Sequence, residues 1–546
     1  MKTKKLISFA TVIVMILTVF TGCTPANNGG NGNSDYVMDP VLNPLGSETI
    51  CKETVDLKIM IAQDGNVQDY DTNKYTKEVE RKGNVNLKFN LVPQADAETK
   101  INLTLSAGEE LPDILIYNMS DANVSTYGEA GVILPLNQYY ENSSEYLVPQ
   151  AEELLSNGGL DVIKYITMAD GNIYTIPQYN ESLMNEFQTV LWIYKPWLDK
   201  IGMKVPETLD DLKTVLRAFK DNDVNGNGNK SDEIPMVDCT SNNVIRDIEQ
   251  AFVHTGEDEL TIRKDGSLAF AYATDEYKEF LKYMRDLVTN GLYDITSFSQ
   301  DAATLKTLLN TPEPRVGVFS YTSTSVLSSA KNRRLEYVPI MLKGPNYNTT
   351  YYRKTMPTNR FFITRACEHP EVAFRIGDYM CSKEMTVWSR FGEKGVDWKE
   401  PAEGTEALYD FLGYKPTIES ILMWGSSQNS HWQNNTPGFR TTDVVLGVAA
   451  SNDDSQRSKA DAIKLMYDEI PEYGTVVEKI IYTPEELDER TQIKTGIDSY
   501  VAEMMFNFMT GKTDIDSGWD KYIKELTALN IDRLLEISQT AYDRMN

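Results

Sequence analysis

The sequence predicts an α/β protein of at least two domains, on three observations. Strand-like and helix-like segments alternate from residue 55 onward, and several of the strands are too apolar to leave one face in water. In addition, 546 residues with a 41% hydrophobic share exceed what one core accommodates. VDLKIMIA, from Val55, alternates as a half-buried strand, residues 75–82 read as a helix, and VNLKFNLV (85–92) alternates again. Residues 98–106 form a helix ending at Gly108, and LPDILIYN (111–118) is a continuous apolar strand. This β-α-β-α-β order predicts a mostly parallel sheet covered by helices. TVLWIYK (189–195) begins a second series of strand, helix and strand. An amphipathic helix over 209–222 follows a Thr208 cap, then strands fall at RVGVFS (315–320) and LEYVPIM (335–341). From about Pro370 the chain reads as mainly helical, ending with the stretch 519–545.

The first 23 residues carry an address. Lys2, Lys4 and Lys5 precede an apolar run from Leu6 to Phe20, and Thr21-Gly22-Cys23 closes it, the pattern of a secretory signal. A cysteine directly after small residues narrows this to a lipobox: cleavage before Cys23, a lipidated thiol (diacylglycerol, palmitate) and a mature chain held at the membrane surface. A transmembrane anchor is the alternative, but the run is short of the roughly 20 residues a span needs. TPANNGGNGNS (24–34) then has the composition of a flexible leash.

No later segment is an unbroken apolar stretch of membrane-spanning length, so a soluble body is expected. The net charge of −27 repels phosphate backbones and anionic lipid, which argues against nucleic acid as a partner and slightly favours a neutral or cationic ligand. Cys51, Cys239, Cys367 and Cys381 show no CxxC spacing and no neighbouring histidine, so zinc is not expected; export permits disulfides, and buried free thiols fit as well. His254, His369 and His431 match no metal or triad spacing.

DVNGNGNKSDEIP (223–235) is the sharpest local motif. Asp223, Asn225 and Asn227 supply oxygens at positions 1, 3 and 5, Gly228 stands at position 6, and Asn229 offers its carbonyl, an EF-hand-like start for a structural calcium ion. Asp232 and Glu233 are the candidates to close the site; they fall at positions 10 and 11, where an EF-hand has its glutamate at 12. An Asx/Gly-rich surface turn is the alternative. Two aromatic clusters are candidates to face a ligand: Trp192/Tyr194/Trp197, of which Trp192 lies in a strand where core packing is the simpler reading, and LMWGSSQNSHWQNN (422–435). In the second, Trp424 and Trp432 stand among amides and hydroxyls in a loop.

The order PDILIY, AGVILPLNQYY, GNIYTIPQYNES, VLWIYKPWLDKIGMKVPETLDDL, EHPEVAFRIGDYMCSKE, RFGEKGVDW and TGKTDIDSGWDKYIKEL…LLEISQTAYDR resembles the extracellular solute-binding proteins of family 1, the carbohydrate receptors of ABC importers. It is closest in character to a large, calcium-loop lipoprotein subgroup of Gram-positive bacteria. The resemblance implies a two-lobed, periplasmic-binding-protein-like α/β fold (type II), with discontinuous lobes joined by a hinge and a helical C-terminal region. Lobe 1 would comprise 55–180 plus 354–398, and lobe 2 181–353 plus 399–546, after a signal peptide (1–22) and a lipidated tether (23–54). Crossovers are expected near 178–181, 353–359 and 395–405. It also implies cleft contacts from Gln63 and Asp64, from Tyr117, Asn118 and Asp121, from Tyr179 and Glu181, and from the turn at Tyr321. The function implied is a monomeric receptor, lipid-anchored on the extracellular face, that binds a carbohydrate, expected to be an oligosaccharide, and delivers it to ABC permease subunits. A secreted glycoside hydrolase with paired carboxylates is the alternative, although no spacing singles out a pair and neither GxSxG nor HExxH occurs; the same receptor carrying a peptide or another small solute is a third reading.

Overall fold

The computed structural model describes residues 36–241, 243–328, 333–450, 453–471 and 475–546. The signal segment, Cys23 and the 24–34 leash therefore lie outside the described residues. No helix among those described is long and apolar enough to cross a membrane.

Two sheets organise the chain. The first contains β1 (Val55–Gln63), β2 (Val85–Pro93), β3 (Ile114–Met119) and β4 (Ile176–Asn180); the second begins with β5 (Val190–Tyr194) and β6 (Ile234–Met236). A small hairpin, β7 (Leu260–Ile262) and β8 (Leu268–Phe270), precedes β9 (Val316–Tyr321) and β10 (Tyr337–Ile340), which complete the second sheet. The chain then returns to the first sheet with β11 (Thr358–Ile363), makes a second hairpin from β12 (Trp398–Lys399) and β13 (Glu419–Ser420), and adds β14 (Gly438–Arg440). The strand orders are β14-β4-β11-β3-β1-β2 and β10-β5-β9-β6.

The early βαβ units form as the residues dictate. β1 runs parallel to both β2 and β3. The helix Lys74–Gly83 that joins β1 to β2 is started by Asn73, whose side chain accepts the Tyr75 N–H, and the helix Ala97–Ala107 ends at Gly108 with φ 65°. Ile114, Leu115 and Ile116 of β3 are each 0% exposed, as a strand covered on both faces must be. The first sheet is mostly parallel, as expected, with β11 as its one reversed strand. β11 enters antiparallel between β3 and β4, because the chain arrives at that edge from the second sheet, and in that second sheet only β6–β9 is parallel. The Thr208 cap is a full capping box with Asp211, opening the helix Leu209–Asp221.

Two of the crossing segments pair with each other. Between β4 and β5, and between β10 and β11, Phe187 and Tyr352 form an antiparallel bridge; Gln188 N donates to Tyr351 O (3.3 Å) and Arg353 N to Glu186 O (2.8 Å). Of the expected crossings, 178–181 falls at the end of β4 and 353–359 runs from this bridge into β11. The third expected crossing, at 395–405, does not assign the whole remaining chain to the second sheet. β14 pairs parallel with Gln178–Asn180, so 438–440 joins the first sheet although 399–546 was expected in the second lobe. A three-residue strand inside an amide-rich loop has no periodicity to announce it. The helical ending expected over 519–545 is built from two helices, Ile515–Ala528 and Ile531–Met545, separated where Asn530 adopts φ 66°, a left-handed conformation that asparagine tolerates. Before them the helix Pro484–Met509 opens on a Thr483/Glu486 capping box.

Candidate ligand-binding cleft

The carboxyl ends of β1, β3, β4 and β14 and the start of antiparallel β11 fall on one edge of the first sheet, next to the paired crossing segments. Ligands of open α/β sheets sit outside such an edge. Three arginines stand there. Arg360 donates to Asn435 Oδ1 (3.1 Å) and Gln178 Oε1 (3.0 Å), Gln178 donates in turn to the Asn434 and Thr436 carbonyls (2.5 and 2.8 Å), and Asn435 donates to the Ala62 carbonyl (3.0 Å). Arg440 Nε donates to Asn180 Oδ1 (2.7 Å). Arg390 lays its guanidinium 3.5 Å over the centroid of the Trp424 ring, which is parallel within 5° to His431 at 6.2 Å.

Burial pulls the pKa of all three arginines down, to about 10 for Arg360, about 9 for Arg390 and about 10 for Arg440, while each keeps a part-exposed surface. Ringed by protein yet reaching solvent is the condition of a group on the floor of an open cleft. The sequence reading missed all three. A charged residue inside the apolar strand TNRFFI was the available signal for Arg360; Arg390 and Arg440 gave none.

The residues expected at the ligand divide. Asp64 is part-exposed at the end of β1, its carboxylate accepting the Asn66 N–H (2.8 Å). Tyr117, also part-exposed, stands close enough for the Arg360 charge to act on its hydroxyl. Trp424 is 48% exposed. Tyr321 ends β9 on the second sheet, part-exposed, its carbonyl accepting from Trp192 Nε1 (3.1 Å). The others are committed elsewhere. Trp432 is 0% exposed, packed among Tyr70, Tyr75 and Phe89 with its Nε1–H donated to Thr76 Oγ1 (2.9 Å), so its expected ligand contact is corrected to core packing. Tyr179 is likewise buried, packed on Phe439, its hydroxyl donated to Glu181 (2.9 Å). The other Glu181 oxygen accepts both the N–H and the hydroxyl of Thr442 (2.6 Å each). Asp121 is held by Lys479 (2.9 Å) and Asn359 Nδ2 (2.6 Å). Trp192 and Trp197 are core residues and the four described cysteines are buried free thiols.

The 223–235 loop folds back on itself between the Leu209–Asp221 helix and β6. Asp223 accepts the N–H groups of Gly226 (2.7 Å) and Gly228 (2.9 Å), the two glycines having φ 81° and 88°. Asn225 and Asn227 direct their amides at Asp232 (3.2 and 2.8 Å), Asn225 N donates to Glu233 Oε1 (3.2 Å), and Asn229 closes a turn onto Ser231. Glu233 Oε2 is buried without a partner. No group of three or more His, Cys, Asp or Glu side chains poised around a metal is found among the described residues. A calcium ion would therefore rely on amide and backbone oxygens beside these carboxylates. The unpartnered Glu233 oxygen fits that group.

With the geometry in hand, comparison with known proteins is direct. A family model described as bacterial extracellular solute-binding protein matches residues 73–392. The fructooligosaccharide ABC transporter substrate-binding protein FusA of Streptococcus pneumoniae is 26% identical over 564 residues, covering 100% of this chain and 99% of that protein. The structure of FusA in complex with kestose superposes with a TM-score of 0.66 at 23% identity, covering 90% of this chain and 99% of that one; another FusA structure is of an EF-hand mutant with fructo-nystose. An HMO binding, ABC-transporter associated solute-binding protein from Bifidobacterium longum infantis gives a TM-score of 0.71 at 20% identity, over 90% and 99%. The architecture is thus the two-lobed type II solute-binding fold, and the chain belongs to the bacterial extracellular solute-binding proteins.

Proposed function

We propose that this chain is a receptor, tethered through a lipidated Cys23 on the outer face of the cell, that captures an oligosaccharide between two lobes and passes it unaltered to an ABC permease. One observation carries the reading: at the edge of the first sheet, Arg360, Gln178 and Asn435 form a connected set of donors and acceptors, and the loop that supplies Asn435 also carries the half-exposed Trp424 ring. Sugars offer hydroxyls at their rims and C–H groups on their faces, and such a set answers both. The likeness to FusA across the full chain supports it. The lobes divide around the two sheets, with the paired segments at Phe187 and Tyr352 as the hinge. The cleft binds and does not cleave; a hydrolase would need a pair of carboxylates across a scissile bond.

A structural calcium ion held by the 223–235 loop, through Asp223, Asn225, Asn227, Asn229, Asp232 and Glu233, belongs to this reading. It would pin the loop ahead of β6 and take no part in binding sugar. The test is a thermal-shift screen of the purified protein against neutral and acidic oligosaccharides, with and without calcium, followed by chromatography of the recovered glycan. A ligand at 100 times its dissociation constant should add about 2.7 kcal/mol of stability and come back intact. Shortened glycan would establish the hydrolase instead, and no shift with any glycan would sink the receptor reading.

A further inference from the structure

Resting on the oligosaccharide reading, we infer that the ligand is anionic, a carboxylate-bearing sugar of the uronate type that the guanidinium groups of Arg360, Arg440 and Arg390 receive together. The chain holds 80 acidic residues against 53 basic ones, so counter-charges are plentiful. The three most buried arginines among the described residues use them: Arg375 pairs with Glu371 (3.2 Å), Arg333 with Glu336 (3.6 Å) and Arg490 with Asp258. Arg360, Arg390 and Arg440 have no carboxylate within ion-pair distance among the described residues. Their heads are held by neutral groups, the Gln178, Asn180 and Asn435 carbonyl oxygens and the Trp424 ring, which fix direction without cancelling charge.

Placement makes the three one surface. Gln178 and Asn180 are two residues apart on β4 and so point from the same face, roughly 6.6 Å apart along the strand. The guanidiniums they orient are thus neighbours, and the Arg440 charge reaches Arg390. Leaving desolvated cations unpaired is costly, and each must be met by an opposite charge for closure over the site to be favourable. A neutral sugar would hydrogen-bond these groups and leave the charge buried. A carboxylate accepts two N–H bonds from a guanidinium fork and cancels it. The acidic protein surface around the cleft would slow the approach of such a ligand without removing this local complementarity.

The experiment is calorimetric titration of the intact mature protein with trigalacturonate, its methyl ester and a neutral fructo-oligosaccharide, at low and at higher salt. The acid should bind at least about tenfold tighter than the ester, with affinity falling as salt rises. Arg360→Gln should remove most of that preference while Arg360→Lys restores part of it, and Arg440→Gln is the second variant should the first fail to fold. Equal or tighter binding of the ester or the neutral sugar overturns the charge assignment and leaves the receptor reading standing. Displacement of the acid by inorganic phosphate at equal concentration also overturns it, marking a general anion site. If none of the three sugars binds, the charge assignment fails, and the receptor reading is decided separately by the wider glycan screen.

Discussion

The edges of the two sheets handle their polar groups in opposite ways. On the second sheet, Asp247 is 0% exposed and accepts from Thr189 Oγ1 and Ser320 Oγ (2.5 Å each); Lys459, 1% exposed, has its ammonium on the Phe187 carbonyl with the Asp247 charge nearby. Burial drives the Asp247 carboxyl up and the Lys459 amine down, but the group closes on itself. On the first sheet, three guanidiniums are held by neutral acceptors and a ring, and keep contact with solvent. Charge that is satisfied from within maintains the fold; charge that is oriented but unsatisfied is poised for something that arrives from outside. The loop spanning 422–435 repeats the contrast on a smaller scale, with Trp432 locked into the core and Trp424, eight positions earlier, half open.

Substitutions can break this contrast at several strengths. Trp432→Ala should cost about 3–5 kcal/mol of stability by leaving a cavity among Tyr70, Tyr75 and Phe89, whereas Trp424→Ala should cost less than about 1 kcal/mol and weaken ligand binding; urea unfolding and calorimetry separate the two. Asp247→Ala should cost about 3 kcal/mol, because two buried hydroxyls and Lys459 lose their common partner, and should leave the preference for charged over neutral ligands intact.

The pH dependence probes the first edge. Burial, followed by the Arg390 charge, pulls His431 down to about 4, and its Nδ1 accepts the Gln433 N–H (3.0 Å), which requires a neutral ring. A histidine with a depressed folded-state pKa is protonated first in the unfolded chain. Stability should therefore fall as pH drops from about 6.5 toward 4, by on the order of 1–3 kcal/mol, and His431→Gln should flatten that part of the denaturation profile. The smallest effect is on Arg360. Because its charge is desolvated and unpaired, Arg360→Met should leave stability unchanged or raise it by up to about 1 kcal/mol while reducing affinity for ligand. A large loss of stability would show that Arg360 maintains the fold.

Local chemistry made much of the fold legible. The alternation in VDLKIMIA, the unbroken apolar run of PDILIY and the Thr208 cap each specify their element within a few residues, and β1, β3 and the Leu209–Asp221 helix formed accordingly. The 223–235 loop was legible for the same reason, since the side-chain hydrogen bonds among Asp223, Asn225, Asn227, Asp232 and Glu233 close within a dozen residues, with Lys200 and Arg315 reaching it from outside. The cleft was not. What separates Trp432 from Trp424 is Thr76, 356 residues away, and what distinguishes Arg360 from Arg375 is the presence or absence of a carboxylate brought up by folding. β14 was missed because three residues carry no period.

Hydrogen exchange on the mature protein, with and without the oligosaccharide that stabilises it most, tests most directly whether the edge of the first sheet is where the ligand binds. Exchange should slow in the peptides covering 176–181, 358–363 and 424–440, with the 223–235 loop unchanged at constant calcium. Protection confined to the C-terminal helices or to the loop, with those three segments unaffected, would contradict it.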